Sequence, residues 1–422
     1  MQNSSPSFRD FELPKFYEFS GLFVIVGLIL LHWSQALYFV AGNGARLGSL
    51  AGGFGLIVLA AFLRARWMVI AYMPMIILSG GYFICLVLLT RVQEHMIWYD
   101  PIQQIFCVIC LVLFWAGFIL AQEKRHDFVS ANQWSLAAVT GVAIIALLAF
   151  MRFVKDISFH GSERGFAEAT LNPVGVAFAN SCLGIVFVVL GILSKSLWRK
   201  SLFILAAALA FFVVLSSASR GAVIWSLGAL GFFLVLNRHQ RYLSPKGVCW
   251  ILLGCALTVP VLVVLYKTNY GVAERIDVLF ARFEQMFNSL LGRGHDMSLS
   301  ARSMMWDYYL SNFGQWILIG EKGYTGYPHN QWIEIGARFG LLGVPMFLAS
   351  IYIFGRLILS VLRRRLVHLD LEYSIIATLF VFGYLQSMTS LSLQVNRVLW
   401  LGFGYALGTF LSRRHGVHPV RR

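Results

Sequence analysis

The sequence predicts an all-α integral membrane protein of about twelve transmembrane helices, with one long helical segment on the face opposite the cytoplasm. Three observations predict it. Of 422 residues, 58% are hydrophobic and only 13% are charged, whereas a soluble domain carries roughly a quarter charged residues. The apolar residues fall in runs of about twenty, the length that crosses ~30 Å of hydrocarbon at 1.5 Å per residue. The runs are evenly apolar rather than alternating, which excludes barrel strands.

In chain order the expected spans are Ser20–Ala41, Gly48–Leu63, Trp67–Leu89, Ile102–Ala121, Leu136–Met151, Pro173–Leu193, Leu202–Ser217, Ala222–Leu236, Cys249–Tyr266, Trp332–Phe354, Tyr373–Met388 and Val398–Leu411. The first run is too long for a signal h-region, and Met1–Phe19 mixes acids with bases, so this run is expected to stay as the first span. No internal repeat or separate soluble domain is evident; the chain reads as one polytopic domain with a long outer segment at residues 267–331. The six cysteines all lie in apolar runs. Cys107-x-x-Cys110 has no second pair or histidine beside it, so it reads as small buried hydrophobes with no disulfide.

The net charge of +15 sits mostly at the ends of apolar runs. That points to topology and anionic lipid headgroups rather than nucleic acid. Placing the N-terminus in the cytoplasm puts Arg64/Arg66, Lys124/Arg125, Lys195/Arg199/Lys200, Arg238/Arg241/Lys246 and Arg356 with Arg363–Arg365 at inner connections. Arg9, Lys15 and the C-terminal Arg413, Arg414, Arg421 and Arg422 are then inside as well. Of the 34 Lys and Arg residues, 20 are inside, and both termini are cytoplasmic. Seven of the other 14 lie between Lys267 and Arg338.

Two outer segments are long, 152–172 and 267–331. Within the second, Ile276, Leu279, Phe280, Phe283, Met286 and Phe287 recur at helical spacing, with Arg275, Asp277, Arg282 and Glu284 on the other side. This predicts an amphipathic helix at the interface or capping the bundle. Met304, Met305, Trp306, Tyr309 and Leu310 predict a second helix.

Arg220 follows Ser216-Ser217-Ala218-Ser219 between two apolar runs, and Arg152 ends another run with Lys155 three residues on. A cation at membrane depth is costly without a partner or a water-filled cavity. Snorkelling accounts for one such residue; Arg152, Lys155, Arg220 and Arg302 together favour an anion site. Guanidinium forks bind phosphate oxygens bidentately. Pro328-His329-Asn330 enters the tenth span at its N-terminal edge, where free N–H groups favour an anion and a neutral imidazole. Gly336, Gly340 and Gly343 read as a small-residue packing face. Asp370-x-Glu372 reads as a solvated helix end. No outer D-x-D, metal-ligand spacing, P-loop or G-x-S-x-G is present. The residues point to a metal-free reaction on a lipid-linked pyrophosphate at the outer face, with cations on the leaving diphosphate and an imidazole accepting a hydroxyl proton.

Three pieces occur in order: Ser219-Arg220-Gly221-Ala222 after an apolar run, Arg302 with Trp306 four residues on, and Pro328-His329-Asn330 followed by Gly336 to Gly343. In these, and in the twelve-span frame, the chain resembles the O-antigen ligase and polymerase superfamily. The specific matching is confined to Ser216–Gly343. The resemblance implies a GT-C-like fold in the bacterial inner membrane, with the active site facing the periplasm. It also implies a metal-independent, inverting, cofactor-free transfer of polysaccharide from undecaprenyl pyrophosphate to lipid A–core oligosaccharide. His329 would activate the acceptor hydroxyl, and Arg220 and Arg302 would hold the pyrophosphate. Arg152, Lys155, Arg164 and Asn330 would assist in substrate binding. An O-antigen polymerase or a protein O-oligosaccharyltransferase shares this chemistry; a transporter of lipid-linked glycan is the reading from another class. The absence of an appended soluble domain favours the ligase.

Overall fold

The computed structural model describes residues 19–65, 68–92, 101–122, 133–156, 173–194, 196–237, 263, 267, 270–321, 328–363, 371–390, 393 and 396–414. Among them every regular element is a helix. Six helical stretches are long and apolar enough to cross a membrane by length and composition: Ala41–Arg64, Tyr72–Leu89, Val174–Leu193, Leu197–Ser216, Arg220–Asn237 and Gln331–Leu362. Ser20–Ser34, Val108–Gln122 and Leu136–Ala149 are shorter apolar helices. The expected ninth span, Cys249–Tyr266, falls almost wholly outside the described residues.

The first two expected spans form one helical run, α1 (Ser20–Ala65), broken only at Gly42, whose φ of 78° is left-handed. Only glycine adopts that conformation at no steric cost. The two halves fold back on each other through small residues. A Cβ on Gly27 would lie 2.8 Å from the Gly53 carbonyl oxygen, and Ser49 Oγ donates to the Leu30 carbonyl at 2.7 Å. The bundle continues with α2 (Met68–Val92), α3 (Pro101–Gln122), α4 (Gln133–Asp156), α5 (Pro173–Leu193), α6 (Leu197–Ser216) and α7 (Arg220–Asn237). The long outer segment holds α8 (Tyr270–Leu290) and α9 (Met297–Ser311), which contain the two helices read from periodicity, and a single turn, α10 (Phe313–Trp316).

The expected tenth span is two helices, α11 (Gln331–Phe339) and α12 (Val344–Leu362), joined by a 3-10 turn at Gly340–Gly343. Gly340, at φ 53°, is the break. Gly336 and Gly340 admit the outer segment rather than another span, while Gly343 packs back on Ile335 and Phe339 of α11. A Cβ on Gly336 would lie 2.7 Å from the Trp316 ring, and one on Gly340 2.6 Å from the Leu318 backbone.

Last come α13 (Leu371–Ser387) and α14 (Arg397–Arg414). Every residue of α13 except Leu385 is buried, so this helix is the axis of the bundle, as its all-round apolar sequence requires. α14 lies against α3 at backbone contact distance: Gly404 faces the Phe114 carbonyl and Gly117 faces the Leu401 carbonyl. Small residues permit such close approach in membranes, where packing rather than a hydrophobic drive joins helices.

One expectation about charge is corrected. Glu372, read as part of a solvated helix end, is buried at the start of α13. Its carboxylate takes a fork from Arg64, Nη1–Oε1 2.9 Å and Nη2–Oε2 2.6 Å. Tyr405 Oη donates to it at 3.1 Å. Arg64 also donates to Ser20 Oγ and the Leu120 carbonyl, so α1, α3, α13 and α14 are tied together at this end. Two of the cysteines fit the expected burial: Cys110 and Cys182 are buried thiols. Cys85 is a free thiol on an exposed position instead.

Candidate functional site

α13 runs from Glu372 at one end of the bundle to Ser387 at the other, and the cavity of interest opens at the Ser387 end. Its volume is about 520 Å³. It is lined by the Ser217–Ser219 turn, the start of α7, one face of α8, the start of α9, His329, and Thr389 and Ser390 just past α13. Arg220, Arg302 and His329 all line it. These residues lie more than a hundred positions apart at their extremes, and the helix ends bring them together.

The local reasons are visible in the backbone. α6 ends at Ser216 and α7 begins at Arg220, so only three residues reverse the chain. Ala218 takes up the turn with φ 51°. His329 has φ 53°, and these are the only two non-glycine residues with positive φ among those described. Both line the cavity. Such backbone costs of order 1–3 kcal/mol and persists where surrounding contacts over-determine it. Here those contacts are evident. Arg282 Nη1 on α8 donates to the Ala218 carbonyl at 3.1 Å. Trp306 Nε1 on α9 donates to the Pro328 carbonyl at 2.6 Å, which fixes the peptide before His329. Arg302 and Trp306 are one helical turn apart, so α9 presents a cation to the cavity and a clamp to the histidine turn from one face.

Arg220 is the most constrained cation. Its guanidinium donates to the Arg282 carbonyl and to the Asp296 carboxylate, and Nη2 lies 3.2 Å from Asp296 Oδ1. Asp296 is also the N-cap of α9, accepting from Ser298 N at 2.9 Å and Leu299 N at 3.1 Å. Burial pushes the Asp296 carboxyl up, but the hydrogen bonds from Arg220, Leu299 and Ser298 and the Arg220 charge outweigh it. The group is held below the usual carboxylate range.

The other expected residues are placed differently. Asn330 does not line the cavity. Its Oδ1 caps α11, accepting from Trp332 N at 2.9 Å and Ile333 N at 3.3 Å. Two first-turn donors of α11 are therefore occupied, and the open helix N-terminus at the cavity is that of α7. Arg152 and Lys155 lie in the last turn of α4, with side chains outside the described residues, and Arg164 lies outside them altogether.

Sequence reasoning missed two contributors, Asp296 and His295, which line the cavity together with Arg282. Arg282 reads from sequence as the polar side of an amphipathic helix and, with Arg275 and Arg293, as an alternative to Arg302. Asp296 carried a usable signal, because an aspartate just before a helical stretch is an N-cap signature. Among the described residues, no group of three or more His, Cys, Asp or Glu is placed to hold a metal ion. Inward from the cavity, Arg338 and Glu334 form a buried i, i+4 ion pair at 2.8 Å, and Glu334 Oε2 accepts from Leu393 N at 3.3 Å. The cavity thus combines three guanidinium groups, two imidazoles and one carboxylate at one end of an apolar bundle, an arrangement suited to a polyanion beside a proton acceptor. The chain matches no family model and no curated protein.

Proposed function

We propose that this protein is a membrane glycosyltransferase that moves a glycan from undecaprenyl pyrophosphate to a hydroxyl of lipid A–core oligosaccharide, as O-antigen ligases do. The observation that carries the reading is the convergence of Arg220, Arg302 and His329 on one cavity at the bundle end opposite the Arg64–Glu372 pair. In this reading the frame has twelve spans of GT-C-like kind in the bacterial inner membrane. Both termini are cytoplasmic and the cavity faces the periplasm. Basic residues at the inner connections support that orientation.

The chemistry is a metal-independent displacement with inversion. His329, as neutral imidazole, accepts the proton of the acceptor hydroxyl as its oxygen attacks the anomeric carbon. The bond from that carbon to the diphosphate oxygen breaks, and the electron pair leaves with the diphosphate. Arg220 and Arg302, with Arg282 beside them, stabilise the charge that develops there. Diphosphate is a good leaving group, so no carboxylic acid is required to protonate it.

The test is transfer by purified protein in detergent, with defined undecaprenyl-pyrophosphate glycan, core lipid and excess chelator. Product of inverted anomeric configuration is expected. Product only when the donor glycan or a Ser/Thr peptide replaces core lipid would reassign the acceptor to that of a polymerase or a protein O-oligosaccharyltransferase. Movement of donor across vesicles without any product would make the protein a transporter.

A further inference from the structure

Beside Arg220 the cavity carries a second set of polar groups, and these are uncharged. α7 starts at Arg220, and the N–H groups of its first turn have no acceptor within the helix. Val223 N is the first to bond back, to the Ser219 carbonyl at 3.2 Å. Gly221 in that turn lines the cavity together with Thr389 and Ser390. A Cβ on Gly221 would lie 3.4 Å from Ser390 Oγ, 3.6 Å from Thr389 Oγ1 and 3.8 Å from Gln386 Oε1. The glycine therefore keeps open a gap ringed by three side-chain oxygens.

Gln386, which borders the Gly221 gap without itself lining the cavity, is the informative residue. It is 0% exposed, and among the described residues neither its Oε1 nor its Nε2 has a hydrogen-bond partner. Leaving both ends of a buried carboxamide unpaired is destabilising, and native structures rarely tolerate it without a purpose. Its neighbours are held in place. Thr389 Oγ1 accepts from Trp225 Nε1 at 2.8 Å, and the Thr389 and Ser390 N–H groups donate to the Gln386 carbonyl at 3.2 and 2.9 Å.

We infer that Gln386, Thr389 and Ser390, with the open first turn of α7, form the subsite for the sugar attached directly to the diphosphate. The inference rests on the reading that Arg220 and its companions hold that diphosphate. The chemistry separates the two halves of the site. A diphosphate only accepts hydrogen bonds, so it would leave the Gln386 Oε1 acceptor unmatched. Sugar hydroxyl and amide groups both donate and accept, which is what a carboxamide and two hydroxyls satisfy. Arg220 and Gly221 line the same cavity, so one ligand can present its diphosphate to the guanidinium and its sugar to the gap. A cavity of about 520 Å³ is also in the range that encloses a ligand larger than a diphosphate.

The experiment measures equilibrium binding of two ligands to the full-length protein in detergent. One is farnesyl diphosphate joined to N-acetylglucosamine, and the other is the charge-matched methyl ester of farnesyl diphosphate. The ratio of their affinities does not depend on how much of a sample is folded. Wild type is expected to favour the sugar-carrying ligand by roughly tenfold or more. Gln386→Leu, which keeps the volume, should bring the ratio to within about twofold, and Ser390→Ala should lower it severalfold. Unchanged ratios in both variants would overturn the inference, as would a wild-type ratio near one while the methyl ester still binds. If the wild type binds neither ligand, the diphosphate reading and this inference fall together.

Discussion

Asp296 occupies the guanidinium of Arg220 from two sides of the same interaction: it pairs with both Nη atoms and simultaneously caps the helix that carries Arg302. With no donor bound, the proposed phosphate site therefore holds an internal carboxylate. A diphosphate must compete with it for Arg220. Replacing Asp296 with asparagine removes the competing charge and keeps a side chain able to cap α9. Pyrophosphate is expected to bind Asp296→Asn about three- to tenfold more tightly than wild type, as measured by calorimetry. Weaker binding would mean that Asp296 orients Arg220 for the donor rather than competing with it.

The same pair sets a pH dependence. The folded-state pKa of Asp296 is depressed, so its contribution to stability is fully present above the ordinary carboxylate range and is lost as pH falls through the depressed value. Thermal unfolding should show no loss assignable to Asp296 between about pH 8 and pH 5. At lower pH the wild type should lose stability relative to Asp296→Asn, so the gap between the two narrows. A gap that widens on acidification would contradict this sign.

His329→Ala should reduce transfer by about a hundredfold or more while donor binding persists, because only the proton acceptor is lost. Arg220→Lys should cost far more than its retained charge suggests. Lysine cannot reproduce the planar fork that reaches two oxygens. Steady-state kinetics with matched expression and monodispersity separate these effects from misfolding. Near wild-type turnover in His329→Ala would remove it from the chemistry.

Trp306 acts on His329 through the Pro328 carbonyl, so it is a positioning residue. Trp306→Phe keeps the aromatic packing and deletes the donor. The turnover number should fall about tenfold with little change in donor affinity, because a misplaced base affects the rate more than the binding. Equal losses in both would point to a general disturbance of α9 instead.

At the far end of the bundle, the Arg64–Glu372 fork is buried on both sides, at 8% and 5% side-chain exposure. Removing one partner strands a charge. Arg64→Met and Glu372→Leu are each expected to destabilise by about 3–5 kcal/mol, and the double substitution Arg64→Met/Glu372→Leu by much less than their sum. Unfolding in detergent as a function of denaturant or temperature would read this. Additive losses would show that the two residues act independently.

The cavity lies away from that pair, and the contrast explains what was readable in the chain. Charge scarcity and runs of apolar residues decide that the protein is helical and membrane-embedded, because a lipid solvent leaves a helix as the way for such runs to satisfy their backbone. Local periodicity likewise determines α8 and α9. Arg220 and His329 are legible as candidates because one is a cation at an apolar boundary and the other lies beside a proline, whereas Arg302 is a candidate through the set of outer-side cations and the family resemblance. Their meeting is not legible. It depends on where α7, α9 and α11 begin in space, and on left-handed backbone at Ala218 and His329 that no local preference favours. Asn330 and Glu372 show the same limit from the other direction. Asn330, expected among the substrate-binding residues, caps α11 with its Oδ1; Glu372, expected at a solvated helix end, is buried against Arg64. Composition and period fix the solvent and the element type, since both are properties of neighbouring residues. Partnership between distant polar groups is decided by tertiary packing, because a hydrogen bond depends on a few ångströms that sequence spacing does not specify.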